Sequence, residues 1–132
     1  MAAIDLVIRN GRVVDGTGAP WFRGDVAISG DRIEFIGSFQ GTADREIDAS
    51  GQIVCPGFID VHSHSDLRAL AEPDHMAKVH QGITTDLIGL DGIGYAPLSP
   101  ENIEKIHVYW AGLSGNLGRE WSWSNIDEFL SE

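Results

Sequence analysis

A β-rich first half followed by parallel β/α units is the fold class that this 132-residue sequence predicts. Three observations carry the prediction. Apolar and polar residues alternate in short runs through the first part of the chain, the period of half-buried strands. The pattern changes at residues 57–62, GFIDVH, an almost unbroken apolar run that suits a strand covered on both faces. From there the order is strand, helix, strand, helix, the pattern of a parallel sheet with crossover helices.

The elements follow in chain order. Ile4, Leu6 and Ile8 alternate with Asp5, Val7 and Arg9 and form the first strand. Asn10-Gly11 reads as a hairpin turn, because both residues tolerate positive φ, and Arg12-Val13-Val14 returns from it. Residues 15–20, DGTGAP, are a loop. Residues 25–29 and 32–36 pair across Gly30-Asp31. Residues 46–48 are at most a stub, and Gln52-Ile53-Val54 is another short strand. About fifty residues make a marginal domain, so the free face of this sheet needs a partner.

In the second half, residues 66–80 read as a helix with Leu67, Leu70, Met76 and Val79 on its apolar stripe. Pro73 interrupts or restarts it, and Gly82 ends it. Residues 83–88, ITTDLI, are a β-branched strand, followed by the glycine-rich loop GLDGIGYAPL. Ser99 caps a helix with Pro100 in its first turn, running to about Ala111. Ser124 caps a further helix, with Asp127 completing a capping box. Two parallel strands are not a domain, because their apolar faces require more sheet beside them.

Composition excludes several function classes. The chain carries 20 Asp plus Glu against 9 Lys plus Arg, a formal charge of -11. That balance repels nucleic-acid phosphates and anionic membrane surfaces. No apolar run approaches a membrane span. One cysteine, Cys55, excludes an internal disulfide framework. The opening MAAIDLVIRNGRVVDG alternates and has no sustained apolar core of the secretory type, so a cytoplasmic location is expected. Glycine is abundant, 16 residues in 132, and implies many tight turns.

The chemistry of parallel β/α folds sits at the carboxyl ends of the strands, which directs attention to residues 62–66 and 89–97. His62-Ser63-His64 follows the apolar strand directly. In extended chain the two imidazoles point to one side with Cα atoms roughly 6.5–7 Å apart, close enough to share one metal ion. Asp60 and Asp66 bracket the pair and are candidates for orienting the histidines from behind. The alternative is two surface histidines at a loop start. Asp91, in Gly89-Leu90-Asp91-Gly92, is either a carboxylate ligand or half of an Asp-Gly turn. His75, His80 and His107 lie in helical stretches and read as ordinary packed or surface residues. Tyr109, Trp110, Trp121 and Trp123 read as core ahead of a ligand-binding aromatic site. Neither G-x-G-x-x-G nor a Walker lysine is present, so nucleotide binding is unsupported.

The stretch CPGFIDVHSHSD (55–66) resembles the first metal-binding strand of the amidohydrolase superfamily. The opening DLVIRNGRVVDGTGAPWFRGDVAISGDRIEFIG resembles the small β-domain that precedes the barrel in many members. Gln81-Gly82-Ile83-Thr84-Thr85, Gly92, Tyr95-Ala96-Pro97-Leu98 and the closing WSWSNIDEFL narrow the resemblance to the N-acyl-D-amino-acid deacylases, or D-aminoacylases. It extends over essentially the whole sequence.

The resemblance implies a small β-sandwich-type domain, here residues 1–55. It implies that residues 56–132 form the first two β/α units of a distorted (β/α)8 TIM-type barrel and the start of a further helix. One or two zinc ions are implied, with His62 and His64 as the first-strand ligands. Asp91 stands where many D-aminoacylases carry a bridging cysteine in Gly-Asn-Cys-Gly. Aspartate there keeps the bridging role with oxygen, changes metal preference, moves the site toward one ion, or marks a subgroup with another substrate. Two further histidines and a general-base aspartate are expected beyond Glu132. The implied reaction is hydrolysis of the amide in an N-acyl-D-amino acid, a small-molecule substrate. The chain is thus expected to be an inactive part of a longer enzyme, with no nucleic-acid or membrane partner and requiring the rest of the barrel. A cyclic-amide hydrolase of the dihydroorotase or hydantoinase type is the alternative. Those relatives often use a carboxylated bridging lysine, a role disfavoured for Lys78 and Lys105 by their place in predicted helices. A non-catalytic β-rich module or partner subunit is the third reading.

Overall fold

The computed structural model describes residues 4–132; Met1, Ala2 and Ala3 of the opening stretch lie outside the described residues. The chain divides into two compact units, residues 1–56 and 57–132.

The first unit holds a mixed five-stranded sheet. Strands β1 (Leu6–Val13), β2 (Phe22–Ser29) and β3 (Arg32–Gly37) run antiparallel in sequence, while β4 (Arg45–Asp48) and β5 (Ile53–Val54) both pair parallel with β1. Val7, Val13, Val26, Ala27 and Ala49 are its buried apolar residues. The Gly30-Asp31 turn joins β2 to β3 as the sequence indicates. The hairpin expected at Asn10-Gly11 is absent. β1 continues through it, and a bulge falls between Ile8, opposite Val26, and Gly11, opposite Gly24. Asn10 does take the left-handed conformation, with φ 62°. Its N–H donates to Asp25 Oδ1 at 2.9 Å, and its side-chain amide donates to Asp48 Oδ1 at 3.1 Å. The same permissive dipeptide that makes a turn therefore absorbs one extra residue within a strand.

The second unit pairs β6 (Phe58–Asp60) with β7 (Ile83–Asp86) in parallel. The expected 57–62 strand stops at Asp60, whose carboxylate accepts the His62 N–H at 3.1 Å and turns the backbone out of the ladder. Between the strands, the expected single helix is two: α1 (Asp66–Ala71) and α2 (Met76–Val79), separated around Pro73. α3 (Pro100–Ser114) begins after Ser99 with Pro100 in the first turn and runs three residues beyond Ala111. Ser99 has extended backbone but makes no capping hydrogen bond through its side chain.

α4 (Ile126–Leu130) is capped one residue later than expected. Asn125 Oδ1 accepts the Glu128 N–H at 3.0 Å, while Glu128 reaches back to the Ser124 N–H and hydroxyl. The box is closed by Glu128, whose longer side chain spans the turn. Leu67, Tyr95, Trp121, Trp123 and Phe129 form the buried core of this unit. Trp123 donates to the Tyr95 carbonyl at 2.7 Å, and Trp121 stacks between Trp123 and His107. Trp121 and Trp123 are thus core, while Tyr109 is exposed.

Candidate metal centre

The second unit places three donor groups together at the carboxyl ends of β6 and β7. His62 and His64 lie on the segment leaving β6, and Asp91 lies on the loop leaving β7. His62 Nε2 is 2.8 Å from Asp91 Oδ2, and His64 Nε2 is 3.4 Å from the same oxygen. The imidazoles meet edge to face with centroids 5.5 Å apart. One ligand atom from each residue lies within 4.8 Å of the other two. Tetrahedral donors with bonds of ~2.0 Å sit roughly 3.3 Å apart, so this spacing suits one small cation. The donor chemistry also fits. Two imidazole nitrogens and a carboxylate oxygen form a borderline set of the kind used by catalytic zinc, where positions are left for water and substrate. His62 and Asp91 are largely exposed, which leaves that side open for further ligands.

Local backbone presents Asp91. It lies in a 3-10 turn, Leu90–Gly92, with φ 57° at Asp91, 75° at Gly89 and 74° at Gly92. Aspartate tolerates the left-handed region better than most residues, at a cost of roughly 1 kcal/mol. Asp66 anchors this loop: its Oδ1 accepts the Gly89 N–H at 3.0 Å. Burial pushes the Asp66 carboxyl above its ordinary range, against the pull of backbone N–H groups. Its other oxygen and His64 Nδ1 are both buried without a hydrogen-bond partner. Asp66 therefore contacts the Asp91 loop. Asp60 accepts the His62 backbone N–H.

The sequence reading missed a polar cluster beside the triad. Lys78 on α2 donates to Asp60 Oδ2, to Ser63 Oγ at 3.0 Å and to Asp86 Oδ1 at 3.4 Å. Ser63 and Ser65 both donate to Asp86 Oδ2. The signal appears only in the strand register. Asp60 and Asp86 are paired neighbours in parallel strands, and two adjacent carboxylates call for a cation. Lys78 holds Asp60 below the usual carboxylate range, and Asp60 in turn raises Lys78. Carboxylation requires a neutral amine, so Lys78 is poorly suited to a bridging carbamate. His75 lies at the start of α2, His107 stacks on Trp121, and Cys55 is exposed; none joins the donor triad.

A family model described as the amidohydrolase family matches residues 45–113. The N-acyl-D-glutamate deacylase of Alcaligenes xylosoxydans xylosoxydans is 50% identical over 95 residues, covering 71% of this chain and 20% of that protein. The crystal structure of N-acyl-D-glutamate deacylase from Bordetella bronchiseptica, complexed with zinc and a phosphonate mimic of the tetrahedral intermediate, matches with TM-score 0.79 at 35% identity. That match covers 98% of this chain and 26% of the other. A D-aminoacylase structure addressing a binuclear metal center, with one-metal activation and second-metal attenuation, matches with TM-score 0.66 at 37% identity. It covers 76% of this chain and 23% of the other. The chain spans about a fifth of the length of the curated relatives it matches. The family model takes in more than half of the sequence, including the histidine pair, Lys78 and Asp91, and the chain belongs to the amidohydrolase family.

Proposed function

We propose that this chain is the N-terminal, metal-holding part of a zinc-dependent amidohydrolase that cleaves N-acyl-D-amino acids to a carboxylate and a D-amino acid. The observation that carries the reading is the convergence of two imidazole Nε2 atoms on one Asp91 oxygen. The related deacylases support the substrate class. In this reading residues 1–55 belong to a small β-sandwich-type domain, and residues 56–132 open a distorted (β/α)8 barrel. The enzyme works in the cytoplasm on a small-molecule substrate.

His62, His64 and Asp91 hold the metal. When bound, such an ion activates water and polarises the scissile carbonyl. With an ion held there, His62 and His64 would have their ring lone pairs committed to it and would transfer no protons. Asp91 offers oxygen where the cysteine of many D-aminoacylases offers sulfur. Asp66 keeps the Asp91 loop in place through the Gly89 N–H. The remaining histidines and the aspartate that moves the proton to the leaving amine are assigned to sequence after Glu132.

Metal analysis of the purified chain tests the assignment. Wild type should retain stoichiometric zinc after gel filtration, and His62→Ala plus His64→Ala should lose it. No zinc in wild type, or equal zinc in both, overturns the reading.

A further inference from the structure

We propose that Lys78 is a positioning residue for the metal centre, fixing the histidine segment to the ends of both strands. The inference rests on the metal reading above, but its geometric content stands apart from it. The Lys78 ammonium has three donors, and three acceptors meet them: Asp60 at the end of β6, Asp86 at the end of β7, and Ser63 between the two histidines. Each link acts on the donor triad. Asp60 passes the contact on through the His62 N–H. Ser63 is buried, and its hydroxyl is shared with Ser65 and Asp86. Asp86 precedes the loop that carries Asp91.

One cation therefore sets the spacing between two strand ends whose following residues supply all three donors. Lys78, Asp60 and Asp86 side chains are only 18%, 27% and 18% exposed, so solvent screens these contacts incompletely. Without the ammonium, Asp60 and Asp86 would face each other as neighbouring like charges and the histidine segment would lose its tether.

Lys78→Met tests this, because it removes the ammonium and keeps an unbranched stem. In the metal-free chain, amide hydrogen exchange at His62 and Ser65 should accelerate about tenfold or more, with α3 within about twofold of wild type. Titration with Co2+ should show about tenfold weaker binding and shifted d–d bands. Unchanged exchange at His62 and Ser65 overturns the proposal, and so does equal acceleration throughout residues 57–132. A wild-type chain that binds no Co2+ yet shows the localised exchange change would sink the metal reading and leave the positioning role standing. Should Lys78→Met not fold, side-chain NMR of wild type decides. The Lys78 ammonium protons should exchange much more slowly than those of exposed Lys105, and equal rates overturn the proposal.

Discussion

Asp91 is the residue at which this chain departs from the Gly-Asn-Cys-Gly pattern of many D-aminoacylases, and the departure has a measurable consequence. A carboxylate is a harder donor than a thiolate. Asp91→Cys should shift the site toward soft ions: Cd2+ affinity should rise relative to Mn2+ by about tenfold or more, as read by competitive titration. The left-handed backbone at Asp91 is tolerable to cysteine at slightly greater strain, so the comparison with Asp91→Asn controls for loop geometry. Asp66 acts one step behind. Asp66→Ala removes the acceptor for the Gly89 N–H, a part-buried hydrogen bond whose loss costs about 0.5–1.5 kcal/mol. The expected result is weaker metal binding with both imidazoles still present, measured by the same titration.

At the scale of elements, the pairing of β6 with β7 depends on glycine at position 57. A Cβ there would lie 2.0 Å from Thr84 Oγ1 and 2.8 Å from Thr84 Cβ. Rotating Thr84 relieves the first contact but not the second, so backbone must move. Gly57→Ala should destabilise the second unit by about 1–3 kcal/mol, read as a lower urea midpoint by tryptophan fluorescence. In the first unit, Asp25 braces the β1 bulge. Burial alone would raise its carboxyl, but the Asn10 and Phe39 N–H groups and the Arg9 guanidinium outweigh burial and set it below its ordinary value. A depressed folded pKa contributes stability that is present above the unfolded value of about 4 and is lost as pH falls through the folded value. Wild type should therefore lose first-unit stability on acidification below about pH 4. Asp25→Asn should be less stable at pH 7 and show a flatter pH dependence, both read from thermal melts.

These elements also show what was legible in sequence. Alternation marked the first part of β1, Gly30-Asp31 marked the pairing of β2 with β3, and Pro73 marked the break between α1 and α2, because each signal is local. Asn10-Gly11 was misread since positive φ serves a turn and a bulge equally, and only pairing with β2 decides. The cap of α4 moved by one residue for a similar reason: Ser124, Asn125, Asp127 and Glu128 offer overlapping boxes, and side-chain reach selects between them. The grouping of His62, His64 and Asp91 was legible in part: the strand-end position marked the histidine pair, while Asp91 read equally as half of an Asp-Gly turn and stood out only through the family resemblance. Lys78 escaped because its role exists only once β6 and β7 are placed side by side.

At the scale of the whole molecule, apolar surface is distributed as a partial sheet requires. Phe58, Ile59 and Val61 around β6 are 57%, 65% and 67% exposed, although their sequence pattern is that of a strand covered on both faces. Among the described residues no helix is long and apolar enough to cross a membrane. Further strands and helices of a barrel would cover the exposed apolar residues around β6. The same division applies to chemistry. The triad supplies three donors, whereas acyl transfer to water also requires a positioned general base and a pocket for the acyl and side-chain groups. The chain with zinc should bind metal and show no turnover of N-acetyl-D-glutamate or N-acetyl-D-methionine by amine release. Joined to the carboxyl-terminal portion of a related deacylase, it should gain activity that His62→Ala abolishes. Turnover by the 132 residues alone would mean that a base and a substrate pocket already lie within them, and would overturn the assignment of those parts to sequence after Glu132.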